Sequence, residues 1–119
     1  MPFRRLSKLS KQRIINALKG LGLTQDDILV YVLLAKNGSH DEREISEMLG
    51  FHLRQTLRGL KNLQEIEIVK AVGEDPMQYS AMPFEEVIDL FIEVKKEQTK
   101  KMQENRKQLL SSWKAIIEK

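Results

Sequence analysis

Cysteine is absent from this sequence, and histidine and proline are scarce, with two and three residues respectively. The absence of cysteine excludes disulfide bonds, thiolate metal ligands and a cysteine nucleophile. Neither histidine has a second histidine or a cysteine at metal-ligand spacing, so we predict no metal site and no cofactor. The sequence therefore offers few of the side chains from which catalytic and metal sites are usually built.

Long apolar stretches are also missing. No run approaches the roughly 18 residues that a membrane-spanning helix requires. The N-terminus is basic, but no apolar core follows it, as one would in a signal peptide. With 119 residues and 41% apolar side chains, the chain can form one domain with one small core. We therefore expect a cytoplasmic protein that has no membrane partner.

Recognisable catalytic motifs are missing too. Gly20 and Gly22 could begin a phosphate-binding GxGxxG loop, but the pattern fails at Gln25 and no strand precedes it. The carboxylate pairs 26–27 and 85–86 each open a predicted helix, where the helix dipole favours acids. We predict that the protein is not an enzyme.

Positive charge is concentrated at the start of the chain. The net charge is only +3, yet the first 25 residues contain no acid. The basic residues in this segment are Arg4, Arg5, Lys8, Lys11, Arg13 and Lys19. Such a segment raises the local concentration of anions, and Arg4, Arg5 and Lys8 are candidate phosphate contacts. A solvated, basic helix face explains the same pattern, and the sequence leaves both interpretations open.

The stretch from residue 41 to 63 is typical of a helix-turn-helix. Asp41 can cap a short helix, and Glu44 stands three residues later, as in a capping box. Gly50 ends that helix and permits a sharp turn. A second helix is predicted over residues 53–64, and its spacing from the first is that of a DNA-binding helix-turn-helix.

The helix at 53–64 has two different faces. At about 100° per residue, Leu53, Leu57 and Leu60 lie together and are expected to pack on the core. The opposite side carries cations and amides, namely Arg54, Gln55, Arg58, Lys61 and Asn62. In a DNA major groove, arginine and lysine reach phosphates or guanine, and glutamine and asparagine pair with adenine.

The other candidate on this helix is His52, where the helix begins. It could contact a phosphate, or it could be a poorly capped turn residue. For the helix as a whole, the simpler alternative is an ordinary solvated surface, because every surface helix has a polar face.

A β-hairpin is predicted after this helix. Residues 66–72 and 77–82 have strand patterns, and the segment 73–76 between them is a turn. Because a helix-turn-helix followed by a hairpin is a winged helix, we predict a mainly α (α+β) winged helix-turn-helix. Its parts are a basic N-terminal helix at 1–20, the winged domain at 21–83 and a long C-terminal helix at 84–119.

The predicted C-terminal helix would be about 50 Å long at 1.5 Å per residue. Its two ends are apolar, and residues 95–108 between them are polar except for Met102. A helix of this length cannot bury both ends against one small domain, so we predict a homodimer through this helix. The alternative is a helix that folds back or frays beyond Lys95.

A family resemblance rests on motifs spread over more than half of the chain. The most specific are the opening Leu21-Gly22-Leu23-Thr24, the following Val30-Tyr31, and the closing pattern from Pro76 through Tyr79-Ser80-Ala81-Met82-Pro83. Over residues 21–87 the sequence resembles the TrmB-like winged-helix family of prokaryotic, largely archaeal, transcription regulators. The resemblance implies a dimeric protein that binds double-stranded DNA with the helix at 53–64 in the major groove.

Several positions depart from the family pattern. Arg54 and Leu57 replace the usual small polar residue and tyrosine of the recognition helix, so base preference does not carry over. Glu67 replaces a glycine before the wing, and the wing tip is acidic at Glu74-Asp75, where the family often has a basic residue. Larger members also carry a C-terminal sugar-binding domain, whereas this sequence ends at residue 119, and we infer no small-molecule ligand.

A second function remains open from the sequence. Winged helices also serve as protein-protein interaction modules in transcription and assembly machinery. The acidic wing tip and the modest net charge are compatible with that use.

Overall fold

A computed structural model describes the backbone of residues 2–118 and the side chains of residues 11–118. The elements in chain order are α1 (Pro2–Lys19), α2 (Gln25–Asn37), α3 (Glu42–Leu49), α4 (Leu53–Glu65), β1 (Val69–Val72), β2 (Gln78–Ala81), α5 (Phe84–Glu104) and α6 (Arg106–Ile117). This order is that of a winged helix with one additional helix before it and two after it. Within the described chain, no helix is both long and apolar enough to cross a membrane.

Two helices begin with the reciprocal hydrogen bonds of a capping box. At α2, the Thr24 hydroxyl accepts from the backbone N–H of Asp27, and the Asp27 carboxylate accepts from the backbone N–H of Thr24. At α3, Asp41 and Glu44 form the same pair of bonds, as the sequence predicts. These bonds satisfy N–H groups that have no partner inside the helix.

The core lies where α2 crosses α4. Val30 of α2 is fully buried, and its Cγ2 would be only 3.3 Å from a Cβ placed on Gly59 of α4. A side chain at position 59 would therefore require Val30 to shift by a few tenths of an ångström. In the described part of the chain, every element except α6 contributes at least one buried apolar side chain. The largest of the remaining ones are Leu18, Ile28, Leu34, Ile45, Leu60, Leu63, Ile68 and Val87.

The wing is a two-stranded antiparallel sheet in which Val69 pairs with Ala81 and Val72 with Gln78. Its strands are shorter than predicted, because the chain after α4 is still turning and the Ile68 N–H bonds back to the Leu63 carbonyl at 3.1 Å. His40 adds a bridge that the sequence did not indicate, exchanging two backbone hydrogen bonds with Tyr79.

The prediction of one continuous helix over 84–119 is wrong in one respect. The helix is interrupted at Asn105, which ends α5 and begins α6. The interruption falls in the polar stretch, where no apolar packing holds the helix straight. The start of α5 is anchored to the domain, since Val87 is buried and the Phe91 ring lies directly against Gly20 at the end of α1.

Candidate nucleic-acid interface

The orientation of α4 differs from the prediction. Its buried residues are Thr56, Gly59, Leu60 and Leu63. Leu53 and Leu57 were expected to pack on the core, but they are 45% and 42% exposed. The helix is turned because its small residues, rather than its first two leucines, lie where α2 and α3 approach.

The buried threonine explains how α4 is held against α3. The Ser46 Oγ of α3 lies 2.7 Å from the Thr56 Oγ1 and 2.8 Å from the Glu42 carbonyl oxygen. Because a carbonyl only accepts, Ser46 donates its single proton to Glu42 and the Thr56 hydroxyl donates to Ser46. A threonine at this position satisfies its hydroxyl without contact with water. The two helices of the helix-turn-helix are therefore joined by a specific polar contact as well as by Ile45 and Leu60.

Three cations form the outward face of α4. Arg54, Arg58 and Lys61 are exposed and lie on one side of the helix, spaced four and then three residues apart. Among the side chains that the structure describes, no carboxylate lies within ion-pair distance of any of them. The row of three cations is about 10 Å long, and its side chains are available to bind external anions.

The two amides predicted to share this face point elsewhere. The Gln55 side-chain nitrogen donates to Asp26 at 3.0 Å, and the Asn62 side-chain nitrogen donates to Asp27. Both amides are half-buried. They join α4 to the first turn of α2, a contact that sequence reasoning missed because it crosses about thirty positions of chain.

A groove of about 540 Å³ lies at this junction between α2 and α4. Its lining residues are Thr24, Asp26, Asp27, His52, Arg54, Gln55, Arg58, Gly59 and Asn62. Asp27 is buried, and its carboxylate accepts bonds from both helices. The carboxylates of Asp26 and Asp27 are already hydrogen-bonded to α4, and these bonds fix the position of α4 beside α2. Arg54 and Arg58 line the same groove.

His52 lies immediately before α4 and is exposed. Its side chain makes no capping hydrogen bond, and only its backbone N–H reaches the Gln55 side chain, at a long 3.4 Å. His52 is thus a poorly capped turn residue, and it lines the same groove as Arg54 and Arg58.

The basic N-terminal segment forms α1. The side chains of Arg4, Arg5 and Lys8 lie outside the described part of the structure. Lys11, Arg13 and Lys19 of the same helix are exposed. The described basic side chains of α1 are therefore in contact with solvent.

The wing differs in charge from α4. Glu74 and Asp75 are exposed at its tip, next to a groove of about 570 Å³ that Asp41 and Glu42 also line. Burial, reinforced by the nearby Glu42 carboxylate, raises the pKa of the Tyr79 phenol above its usual value. No group of acidic or histidine side chains suited to a metal ion occurs within residues 11–118.

The sequence matches the family model described as "Sugar-specific transcriptional regulator TrmB" over residues 18–85. This match covers more than half of the chain and includes α2, α3, α4 and the wing. No curated protein sequence matches significantly.

Several solved structures with a similar fold are described as transcriptional regulators. A possible transcriptional regulator from Methanosarcina mazei aligns over 82% of this chain and 86% of its own, with 16% identity and a TM-score of 0.64. A transcriptional regulator from Thermotoga maritima aligns over 98% of this chain and 95% of its own, with 19% identity and a TM-score of 0.55. A MarR family protein from Bacillus stearothermophilus aligns over 98% of this chain and 86% of its own, with 16% identity and a TM-score of 0.53.

At these identities the structural likeness concerns the fold, and it confirms the winged helix. The family match goes further, because it spans the helix-turn-helix and the wing together. It classifies the protein with DNA-binding transcription regulators. The chain belongs to the TrmB family of winged-helix transcriptional regulators.

Proposed function

We propose that this protein is a homodimer that binds specific sequences of double-stranded DNA and regulates transcription, with α4 in the major groove. The observation that carries the proposal is the exposed row of Arg54, Arg58 and Lys61 on the second helix of a helix-turn-helix. None of these cations is neutralised by a described carboxylate. A helix of this kind fits the major groove and can bind both phosphates and guanine edges.

The hydrogen bonds around α4 support this role. A recognition helix must be held in one orientation, because a base edge is read only when the donor lies at the correct distance. Gln55 and Asn62 tie α4 to α2, and Thr56 ties it to α3. The cations therefore project from a helix that is fixed on two sides.

The dimer is proposed to form through α5 and α6. All side chains of α6 from Arg106 to Ile117 are exposed, so this helix does not fold back on the winged domain in the described chain. Its apolar side chains are Leu109, Leu110, Trp113, Ile116 and Ile117. Exposed apolar area of this kind is characteristic of a protein-protein contact, and a second copy supplies a matching helix.

A two-fold dimer would present two copies of α4. On DNA, such helices bind half-sites about one helical turn apart, which predicts an approximately palindromic target. The exposed basic residues of α1, and the candidates Arg4, Arg5 and Lys8, would add phosphate contacts beside each half-site.

Binding to DNA can be measured by fluorescence anisotropy with two labelled duplexes, the gene's own upstream region and a scrambled version. Specific binding is expected to favour the upstream duplex and to persist at physiological salt, whereas non-specific phosphate binding weakens steeply with salt. Arg54→Ala and Arg58→Ala should each weaken specific binding by about 1–3 kcal/mol without lowering the melting temperature.

Lys36→Ala is the matched control, because it removes one exposed positive charge at the far end of α2. Its affinity for DNA should remain within about twofold of the wild type. Unchanged affinity in both arginine variants would remove α4 from the DNA interface.

A protein partner is the second candidate function. The exposed acids Glu74 and Asp75 at the wing tip favour it, since they would repel phosphates. If neither duplex binds even at low salt, the protein-interaction function replaces the DNA-binding one.

A further inference from the structure

Two leucines on α4 are exposed beside its arginines. Leu53 and Leu57 are 45% and 42% exposed, although both lie on the helix that carries the cationic row. Apolar side chains on a helix gain nothing from contact with phosphates. Their exposure next to Arg54 and Arg58 places apolar side chains and cations on one continuous surface of the helix.

The positions of these four residues are regular. Leu53 and Arg54 occupy the first turn of α4, and Leu57 and Arg58 lie one turn later. Residues four apart share a face, so the leucines form one short row and the arginines a parallel row about 100° around the helix. The start of a recognition helix is the part that contacts base edges.

The neighbouring amides are already occupied. Gln55 and Asn62, which could have paired with adenine, donate their side-chain N–H groups to Asp26 and Asp27. Apart from the His52 ring just before it, the exposed side chains at the start of α4 are the guanidinium groups of Arg54 and Arg58 and the leucines. In the major groove, guanidinium groups pair with guanine O6 and N7, and apolar side chains contact the thymine methyl group.

We propose that Leu53 and Leu57 are specificity-determining residues that contact the 5-methyl groups of thymines in the major groove. The thymines lie beside guanines that Arg54 and Arg58 contact. This proposal rests on the proposed DNA-binding function and defines the base chemistry that the target must contain. The two rows predict half-sites that contain both guanine and thymine.

The experiment begins with the full-length wild-type protein and a random library of duplexes, from which bound sequences are selected and sequenced. Each thymine of the selected site is then replaced singly by deoxyuridine, which removes only the methyl group. Affinity for each duplex is measured by fluorescence anisotropy. At one or two positions per half-site we expect binding to weaken about fourfold, the factor corresponding to ~0.8 kcal/mol for one buried methyl group.

Leu53→Ala and Leu57→Ala test which side chain contacts which methyl group. Each variant should bind the thymine and deoxyuridine forms of its own position equally, while still discriminating at the other position. Val32→Ala is the matched control, because Val32 is 41% exposed and lies about 200° around α2 from Val30, which contacts α4. This control should discriminate as the wild type does.

Two results would overturn the proposal while leaving the DNA-binding function in place. One is a selected site at which every deoxyuridine duplex binds as tightly as its thymine counterpart. The other is discrimination that persists in both leucine variants. A selection that enriches no sequence would contradict the proposed function itself, and the leucines would then be assigned to a protein contact.

Discussion

The side-chain nitrogen of Asn62 lies 3.2 and 3.3 Å from the two carboxylate oxygens of Asp27. Asp27 is 2% exposed, and the same carboxylate accepts the backbone N–H of Thr24. One buried acid thus both caps α2 and holds α4. The direction of the cationic row therefore depends on a contact between two helices that are distant in the sequence.

Replacing Asn62 is expected to affect stability more than DNA binding. Asn62→Ala removes a hydrogen bond to a buried carboxylate and should lower the free energy of unfolding by about 1.5 kcal/mol. Urea denaturation measures this loss, and Gln64→Ala, an exposed neighbour on the same helix, is the control. Unchanged stability together with lost DNA binding would instead make Asn62 a base-contacting residue, as the sequence predicts.

Glu67 has a φ of 63°, a left-handed conformation that favours glycine. It lies at the junction between α4 and the wing, where the family has glycine. Glu67→Gly should therefore raise the free energy of unfolding by about 0.5–1 kcal/mol, because the penalty for a Cβ in this conformation disappears. Gln64→Gly, within α4, should lower it by up to about 1 kcal/mol. Thermal denaturation that shows a loss in both variants would contradict the assignment of strain to Glu67.

Tyr31 couples α2 to the chain that follows the wing. Its buried hydroxyl donates to the Met82 carbonyl at 2.7 Å, and burial raises the pKa of the phenol above 10.0. Tyr31→Phe should lower the free energy of unfolding at neutral pH by about 1 kcal/mol.

The raised pKa also predicts a dependence on pH. Because the native state holds the phenolic proton more tightly than the unfolded state, this stabilisation is complete below pH 10 and is lost as the pH rises through the folded pKa. Denaturation midpoints between pH 8 and about pH 11 should fall less steeply in Tyr31→Phe than in the wild type. Tyr79→Phe is the comparison, since the pKa of Tyr79 is raised as well. Parallel curves for Tyr31→Phe and the wild type would contradict this prediction.

The proposed dimer can be tested at Trp113, which is 58% exposed on α6. Leu109 and Ile116 lie on the same face, four residues before and three after it. Trp113→Glu places a charge in this apolar face and should shift the protein from dimer to monomer in sedimentation velocity. Ser111→Glu adds the same charge on the opposite side of the helix and should leave the dimer intact. If Trp113→Glu remains dimeric, α6 is not the interface.

The elements of the fold were largely predictable because the signals that begin and end them are local. Asp41 and Glu44 form their capping box within a single turn, and Gly50 adopts the left-handed conformation that ends α3. The interruption at Asn105 had no comparable signal, since the polar stretch around it is compatible with a continuous helix. The wing strands were recognised, but their starts depended on how far the turn after α4 continued.

The candidate site was less predictable. Arg54, Arg58 and Lys61 were correctly placed on an exposed face, because three charged side chains cannot be buried without partners. Gln55 and Asn62 were placed beside them, although their partners Asp26 and Asp27 lie far away in the sequence. A side-chain amide that is hydrogen-bonded can be buried or exposed at similar free-energy cost. The position of an amide along α4 therefore did not reveal whether its side chain points to solvent or to α2.

The sequence by itself determined the helices, the helix-turn-helix, the wing and the family, because capping residues, glycines and apolar spacing act over a few positions. Only the tertiary structure decided which side of α4 is buried. Gly59 and Thr56 admit α2 and α3 more closely than leucines would, and this packing turns Leu53 and Leu57 outward. The exposed face of α4 therefore depends on how closely α2 and α3 pack against its small residues. The periodicity of the α4 sequence alone does not contain this information.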